Sequence, residues 1–256
     1  MIFDSHAHYD DEAFDEDREE LISSLYPAGI TAVMNVGADK YSTERSLALT
    51  EKYDFFYGAA GIHPSDVEQY EEGTADIAWL EDRASRPKML AIGEIGLDYH
   101  WPEPGRELQK KWFAAQLEAA KRLNKPVIIH SREAAQDTYD IMKAAGGEEI
   151  FAVIHCFSYE KEMAKRFLDL GYYIGIGGVL TYKNARKLVE SAQYCPIDRI
   201  LLETDCPYLS PVPKRGERNS SLNLPAVSAK LAEIKALSKE EVEDITYANA
   251  KRFYRI

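Results

Sequence analysis

Ile2-Phe3-Asp4-Ser5-His6-Ala7-His8 opens the chain with an apolar run that ends on two histidines, and four later stretches repeat the design. They are Met89-Leu90-Ala91-Ile92-Gly93-Glu94, Pro126-Val127-Ile128-Ile129-His130, Phe151-Ala152-Val153-Ile154-His155 and Arg199-Ile200-Leu201-Leu202-Glu203-Thr204-Asp205. A lone histidine after an apolar run is ordinarily a satisfied core side chain. Five such endings in one chain are harder to explain that way, because a buried ionisable group is costly unless it is paired or bound to a cation. Several strand ends that carry imidazole and carboxylate together imply a metal cluster.

Working outward, eight short apolar or β-branched runs alternate with helical patterns, at residues 2–8, 30–37, 55–63, 89–94, 126–130, 151–155, 172–178 and 199–205. Between them, Leu108, Trp112, Ala115, Leu117, Ala120 and Leu123 fall at helical spacing, and Met163, Phe167 and Leu170 lead to Gly171, a C-cap signal. Eight βα units fit a closed parallel (β/α)8 barrel of the TIM type, possibly distorted, better than an open doubly wound sheet. No glycine-rich phosphate loop follows the first run, and no linker, repeat or low-complexity tract divides the 256 residues. The expectation is therefore one barrel domain over residues 1–256. Barrel enzymes carry their chemistry at the C-terminal strand ends, where every ligand candidate falls.

Bulk properties narrow the function. A formal charge of -12 argues against a protein that coats nucleic acid electrostatically, unless active-site metal supplies positive charge locally. No apolar run is long enough to cross a bilayer, so no membrane role is expected. The first residues lack a basic segment followed by an apolar one, and Cys156, Cys195 and Cys206 are too few for a disulfide framework. Both features point to the cytoplasm. Cys156 and Cys206 each follow a proposed ligand, and strand alternation turns them to the opposite face as small buried side chains.

Spacing within the motifs assigns roles. His6 and His8, two apart on a strand, leave one face and can grip one ion or two neighbouring ions. Glu203 and Asp205 share that relation, with Asp205 the better ligand or base and Glu203 a deeper residue that orients a ligand imidazole. Glu94, taken as the end of its strand, has two oxygens with which to bridge two metals, while His130 and His155 complete the second site. Four imidazoles and two carboxylates exceed the needs of one tetrahedral ion with an open position. Two ions about 3.5–4 Å apart would use them all.

Together with Gly61-Ile62-His63-Pro64, Ile95-Gly96-Leu97-Asp98-Tyr99, Ser131-Arg132, Cys156-Phe157-Ser158, Cys206-Pro207-Tyr208-Leu209 and Asn249-Ala250-Lys251-Arg252, these motifs resemble the TatD family of metal-dependent DNases, in order and over nearly the whole chain. The resemblance implies a barrel of the metallo-dependent hydrolase superfamily and divalent metals at His6, His8, Glu94, His130, His155 and Asp205. It also implies hydrolysis of DNA phosphodiesters, typically with Mg²⁺ or Mn²⁺ and often from a 3′ end. The chain departs from the family where Arg215-Gly216-Glu217-Arg218-Asn219 leads into Ser220-Ser221, with a proline only at Pro225. Lys88, at the wrong end of its run, cannot replace Glu94 as a modified lysine does in phosphotriesterase-like relatives.

Around a phosphodiester, two cations activate a shared water and Asp205 accepts or orients its proton, with Glu94 and His63 completing the catalytic set. His63, before Pro64, is read as a phosphate contact rather than a ligand, and His100 more weakly so. Lys183-Asn184-Ala185-Arg186-Lys187 and Lys214 to Arg218 supply local positive charge, with Arg215 the chief phosphate contact. Tyr208, Tyr99 and Trp101 are available to stack on unpaired bases. The expected partner is DNA, single-stranded or at 3′ ends, with no obligate protein partner. The ligand set alone also suits another bond on the same barrel, such as that of a D-aminoacyl-tRNA or a small ester or amide. A noncatalytic metal-stabilised interaction protein would leave Asp205 a buried charge without a task. Zn²⁺ binds imidazole-rich sites more tightly than Mg²⁺, so the ion that activates need not be the one bound most tightly.

Overall fold

Each of the eight apolar runs forms a strand in the computed structural model, which describes residues 1–70 and 74–256. The strands are β1 (Ile2–Ala7), β2 (Ile30–Val36), β3 (Phe56–Ala60), β4 (Met89–Asp98), β5 (Val127–Arg132), β6 (Ala152–Ile154), β7 (Tyr173–Ile176) and β8 (Ile200–Leu202). They pair in sequence order, every pairing parallel. Parallel neighbours need a crossover, and helices supply it. These are α1 (Arg18–Leu25), α2 (Lys40–Lys52), α3 (Thr74–Ala84), α4 (Arg106–Leu123), α5 (Ala135–Ala144), α6 (Lys161–Asp169) and α7 (Arg186–Tyr194), with α8 (Leu224–Lys235) and α9 (Lys239–Tyr254) after the last strand. The Trp112, Leu117 and Ala120 face of α4 is buried as its spacing predicts. Gly171, just past α6, takes φ +82°, the left-handed conformation of a helix stop.

Closure comes just beyond β8. Ala7 bridges Cys206, the His8 amide donates to the Cys206 carbonyl at 2.9 Å, and the Asp205 amide donates to the His6 carbonyl at 2.9 Å. Asp4 strengthens the same seam: its carboxylate accepts from the Thr204 amide at 3.0 Å and from the Thr204 and Ser221 hydroxyls, each at 2.6 Å. The result is a (β/α)8 barrel.

Strand alternation sorts the apolar residues into two layers. Ile129, Ile154, Ile174 and Leu202 pack outward in the cluster shared with the helices. Their neighbours Ile128, Val153, Tyr173 and Leu201 join Phe3, Ala32, Ala59 and Ala91 in a second cluster that draws on every strand. That inner cluster also contains Ala250, Phe253 and Tyr254 of α9, so this helix seals one end of the barrel. The Tyr254 hydroxyl donates to the Ser5 carbonyl at 2.7 Å, which ties the seal to β1. Burial of such aromatic side chains contributes roughly 1.5–3 kcal/mol each.

Strand limits differ from the sequence expectation in one consequential place. Glu94 does not end β4: the ladder to β5 is interrupted between Ile92 and Ile95, then resumes and runs to Asp98 opposite Arg132. The interruption places Glu94 inside a strand that runs four residues beyond it, to Asp98. His63, His155 and Asp205, by contrast, lie past the last paired residue of their strands.

Candidate metal centre

Six side chains converge at the C-terminal mouth of the barrel, in two groups that share Glu94. In the first group His6 Nε2 and His8 Nε2 stand 3.0 Å apart. Glu94 Oε2 lies 3.3 Å from His6 Nε2 and 3.6 Å from His8 Nε2, and Asp205 Oδ1 lies 3.7 Å and 3.4 Å from the same atoms. Tetrahedral ligands about 2.0–2.1 Å from an ion stand about 3.3–3.4 Å from one another, so this spacing is that of a coordination shell. His8 Nδ1 donates to the Val36 carbonyl at 2.8 Å, which leaves the Nε2 lone pair facing the group.

In the second group Glu94 Oε1 lies 2.7 Å from His155 Nε2 and 2.8 Å from His130 Nδ1, and these two nitrogens are 3.4 Å apart. The other nitrogen of His130 is held by Asp98 Oδ2 at 2.9 Å. His63 Nε2 approaches Glu94 Oε1 at 3.6 Å, but its Nδ1 accepts from the Ser65 amide at 3.1 Å. In the neutral ring that puts the proton on Nε2, although donor atoms of His63, Glu94 and His130 also lie within 4.8 Å of one another.

The donor set suits a divalent cation. Burial and the neighbouring His155 lower His6 to about 4, while His6 stacks on His155 with ring centroids 4.0 Å apart. Burial disfavours charge on His8 too, yet Asp205, Glu94 and Asp10 outweigh it and hold His8 up to about 10. His130 is likewise held up to about 9, burial being overcome by Asp98 and Glu94. Burial pulls His63 down to about 3. For Glu94 and Asp205 burial opposes ionisation, but the surrounding imidazoles win and keep both carboxyls low. The Nδ1 atoms of His6 and His155 are buried without a hydrogen-bond partner. Anionic oxygens and ring nitrogens packed this closely, with buried polar atoms left over, are the surroundings a cation would complete.

Glu203 lies deeper. It accepts from the Cys156 amide, and a carboxyl oxygen comes within 4.8 Å of a ring nitrogen of both His6 and His155 without a hydrogen bond to either. Burial raises it to about 8. Only a residue without a side chain fits beside it: a Cβ on Gly175 would sit 2.4 Å from a Glu203 oxygen. Asp205 reaches the mouth from a left-handed backbone, φ +57°, a conformation an aspartate tolerates better than most residues.

The mouth opens as a cavity of about 660 Å³ lined by His8, Glu94, His130, His155 and Asp205, with His63 and Tyr208 also on its wall. Several sequence expectations change here. Arg215 does not line it; its guanidinium stacks on Tyr182, 4.4 Å from the ring centroid, because the loop after β8 carries it outward. Arg218 is taken up by Asp17 and the Phe14 ring, and Lys187 and Arg186 pair with Glu160 and Glu190. Tyr208 is exposed on the wall and donates to Asp11 Oδ2 at 2.9 Å, whereas Tyr99 donates to Asp137. Trp101 is exposed, and His100 pairs with Glu133 at 2.8 Å. Cys156 does not turn away: β6 has ended, φ is +45°, and the residue lines the cavity, with its thiol pushed well up by burial and the nearby carboxylates. Asp98 and Arg132 were not singled out from the sequence, although they follow Glu94 by four residues and His130 by two.

Residues 3–255 match the family described as TatD related DNase. An uncharacterized metal-dependent hydrolase of Bacillus subtilis, YabD, is 40% identical over 257 residues, all of both chains. YcfH of Escherichia coli, also an uncharacterized metal-dependent hydrolase, is 31% identical and covers 100% of this chain and 96% of its own. The crystal structure of YJJV, a TatD homologue from Escherichia coli, superposes with a TM-score of 0.93 at 31% identity, over 100% of this chain and 98% of that one.

Proposed function

The chain belongs to the TatD-related DNase family, a family of metal-dependent hydrolases, and from that membership and the six-residue cluster we propose a deoxyribonuclease that cleaves DNA phosphodiesters with two divalent cations. One observation carries the reading: the two oxygens of Glu94 face different pairs of imidazoles, His6 and His8 on one side, His130 and His155 on the other. His6, His8, Glu94 and Asp205 would hold one ion, and Glu94, His130 and His155 the other. Such ions lower the pKa of water toward neutrality and neutralise phosphate charge.

The protein's own groups do the rest. Asp205, ionised and at the mouth, accepts the proton of the attacking water. His63, with its proton on Nε2 and that atom facing Glu94, donates to a phosphate oxygen. Tyr208, exposed on the wall, offers a face on which an unpaired base can stack. Asp98 acts through the His130 imidazole it stands behind. Free single-stranded 3′ ends are the substrate form of this reading, supported by the weak pull that a chain of formal charge -12 exerts on duplex. Mg²⁺ or Mn²⁺ supports turnover, with Zn²⁺ bound more tightly.

Product analysis on end-labelled single-stranded DNA, run beside a D-aminoacyl-tRNA with each divalent metal in turn, tests the reading. Release of mononucleotides from the 3′ end is expected. Deacylation of the tRNA without DNA cleavage would replace it with the ester hydrolase on the same barrel.

A further inference from the structure

We propose that Arg132 is the phosphate-binding side chain of this cavity; this rests on the hydrolytic reading above and names the residue that would recognise the phosphate of its substrate. Besides Glu94 and Asp205, the cavity wall carries Asp10, Asp11, Asp39 and Asp66, all in a chain of formal charge -12. Among the described lining residues Arg132 is the single lysine or arginine. Its side chain is exposed and makes no ion pair with any described residue, whereas Arg215 and Arg218 are engaged elsewhere. An unpaired guanidinium among six carboxylates would ordinarily be drawn into a salt bridge. What the backbone fixes is the place from which the side chain starts: Arg132 is in register with Asp98, and its carbonyl accepts from the Tyr99 amide at 2.9 Å.

The register also says which side of the cluster it serves. Arg132 lies two residues beyond His130 on β5, so both side chains leave the same face of the strand, the arginine one layer nearer the opening. It thus stands above the His130 and His155 half, while Asp10 and Asp11 follow His8 in the chain on the other half. An anion entering the mouth meets repulsion on one side and a planar, bidentate donor on the other. Phosphate oxygens therefore settle toward β5, and Asp205 is left free on the opposite side for the water.

Inorganic phosphate is the probe, titrated calorimetrically into Mn²⁺-loaded wild type, Arg132→Ala, Arg132→Lys and Arg215→Ala, with Tm and metal content measured for each. Arg132→Ala is expected to weaken phosphate binding about tenfold, the loss of one charge-assisted contact, with Arg132→Lys between it and wild type and Arg215→Ala within about twofold. KM for a single-stranded oligonucleotide and the inhibition constant of a deoxynucleoside monophosphate should rise in the same proportion, which locates the effect in phosphate recognition. Unchanged phosphate affinity in Arg132→Ala at wild-type metal content overturns the proposal even if DNA is cleaved. Were the wild type inactive on DNA while Arg132→Ala still lost phosphate affinity, the nuclease reading would fall and this one would stand. Should Arg132→Ala lower Tm, the comparison passes to Arg132→Lys, where wild-type affinity for both phosphate and oligonucleotide again counts against it.

Discussion

Asp98 Oδ2 holds His130 Nε2 at 2.9 Å while Glu94 Oε1 meets Nδ1 of the same ring at 2.8 Å, so one imidazole is fixed from both ends. With Nε2–H donated to Asp98, Nδ1 keeps its lone pair toward the cluster. Such carboxylates behind a ligand histidine typically support 10–100-fold in metal affinity, about 1.4–2.7 kcal/mol. Asp98→Ala is expected to weaken Mn²⁺ binding by that factor in calorimetry, and Asp98→Asn by less, because the amide oxygen still accepts. Equal affinities in all three proteins would show that packing alone orients His130.

Glu94→Gln addresses the bridge. The amide keeps one oxygen but loses the charge shared between the two groups, so bound metal should fall from two ions per chain to one or fewer, read by plasma emission on chelator-free protein. Two tightly bound ions in the variant would assign the bridging role elsewhere.

Asp205→Asn should leave the fold intact, since asparagine accepts the left-handed backbone found there. Turnover of DNA should drop about 10²–10⁴-fold with the loss of the proton acceptor. Circular dichroism and initial rates on one preparation check both halves, and retention of most activity would remove Asp205 from the proton-transfer step.

Stability of the metal-free protein should fall as pH rises. His8 at about 10 and His130 at about 9 both lie above the ordinary 6.5, so the native state binds their protons more tightly than the unfolded chain does. That contribution is complete below pH 6.5 and is lost as pH climbs through 9 and 10. Glu203, raised to about 8 from 4.5, acts in the same sense as it is forced to ionise. Glu94 and Asp205, held low, lose their contribution only at the acid end. Guanidinium midpoints should therefore decline from about pH 6.5 to 10 in the metal-free protein, while metal affinity rises over the same window because the ligands must shed protons. A midpoint that climbs with pH would contradict the charge assignment.

Linear single-stranded DNA should be degraded faster than blunt duplex, and covalently closed single-stranded circles should resist. Attraction of duplex to a chain of charge -12 is weak, so binding depends on contacts at the mouth itself. Equal rates on circles and linear strands would make the enzyme an endonuclease.

The barrel was legible because each ligand candidate ends an apolar run, and period-two alternation sends the runs' side chains to two layers whatever the loops do. His6 with His8, and the rise from Glu203 to Asp205, follow from that alternation. Where the backbone leaves it, inference failed. The interrupted ladder before Ile95 lengthens β4 and brings Asp98 behind His130, and the left-handed turn at Cys156 swings a residue onto the cavity wall that alternation would have turned away. Basic residues were the least legible. Whether Arg215 faces the mouth depends on where a loop travels, and Tyr182 and Asp17 draw the loop cations aside through contacts no local pattern encodes.

The seam between β1 and the segment past β8 joins residues about two hundred positions apart, Asp4 to Thr204 and His6 to Asp205. During synthesis the first strand emerges long before its last partner exists, and α9, which seals the barrel beneath it, comes later still. One half of the cluster stays incomplete while the nascent chain is short: His6 and His8 wait for Asp205, and the strand bearing them waits for Tyr254, whereas Glu94, His130 and His155 have all been made by residue 155. Contacts of such sequence separation form late and slowly. A chain ending before residue 205 would thus carry the Glu94, His130 and His155 group but lack the carboxylate that completes the group of His6 and His8.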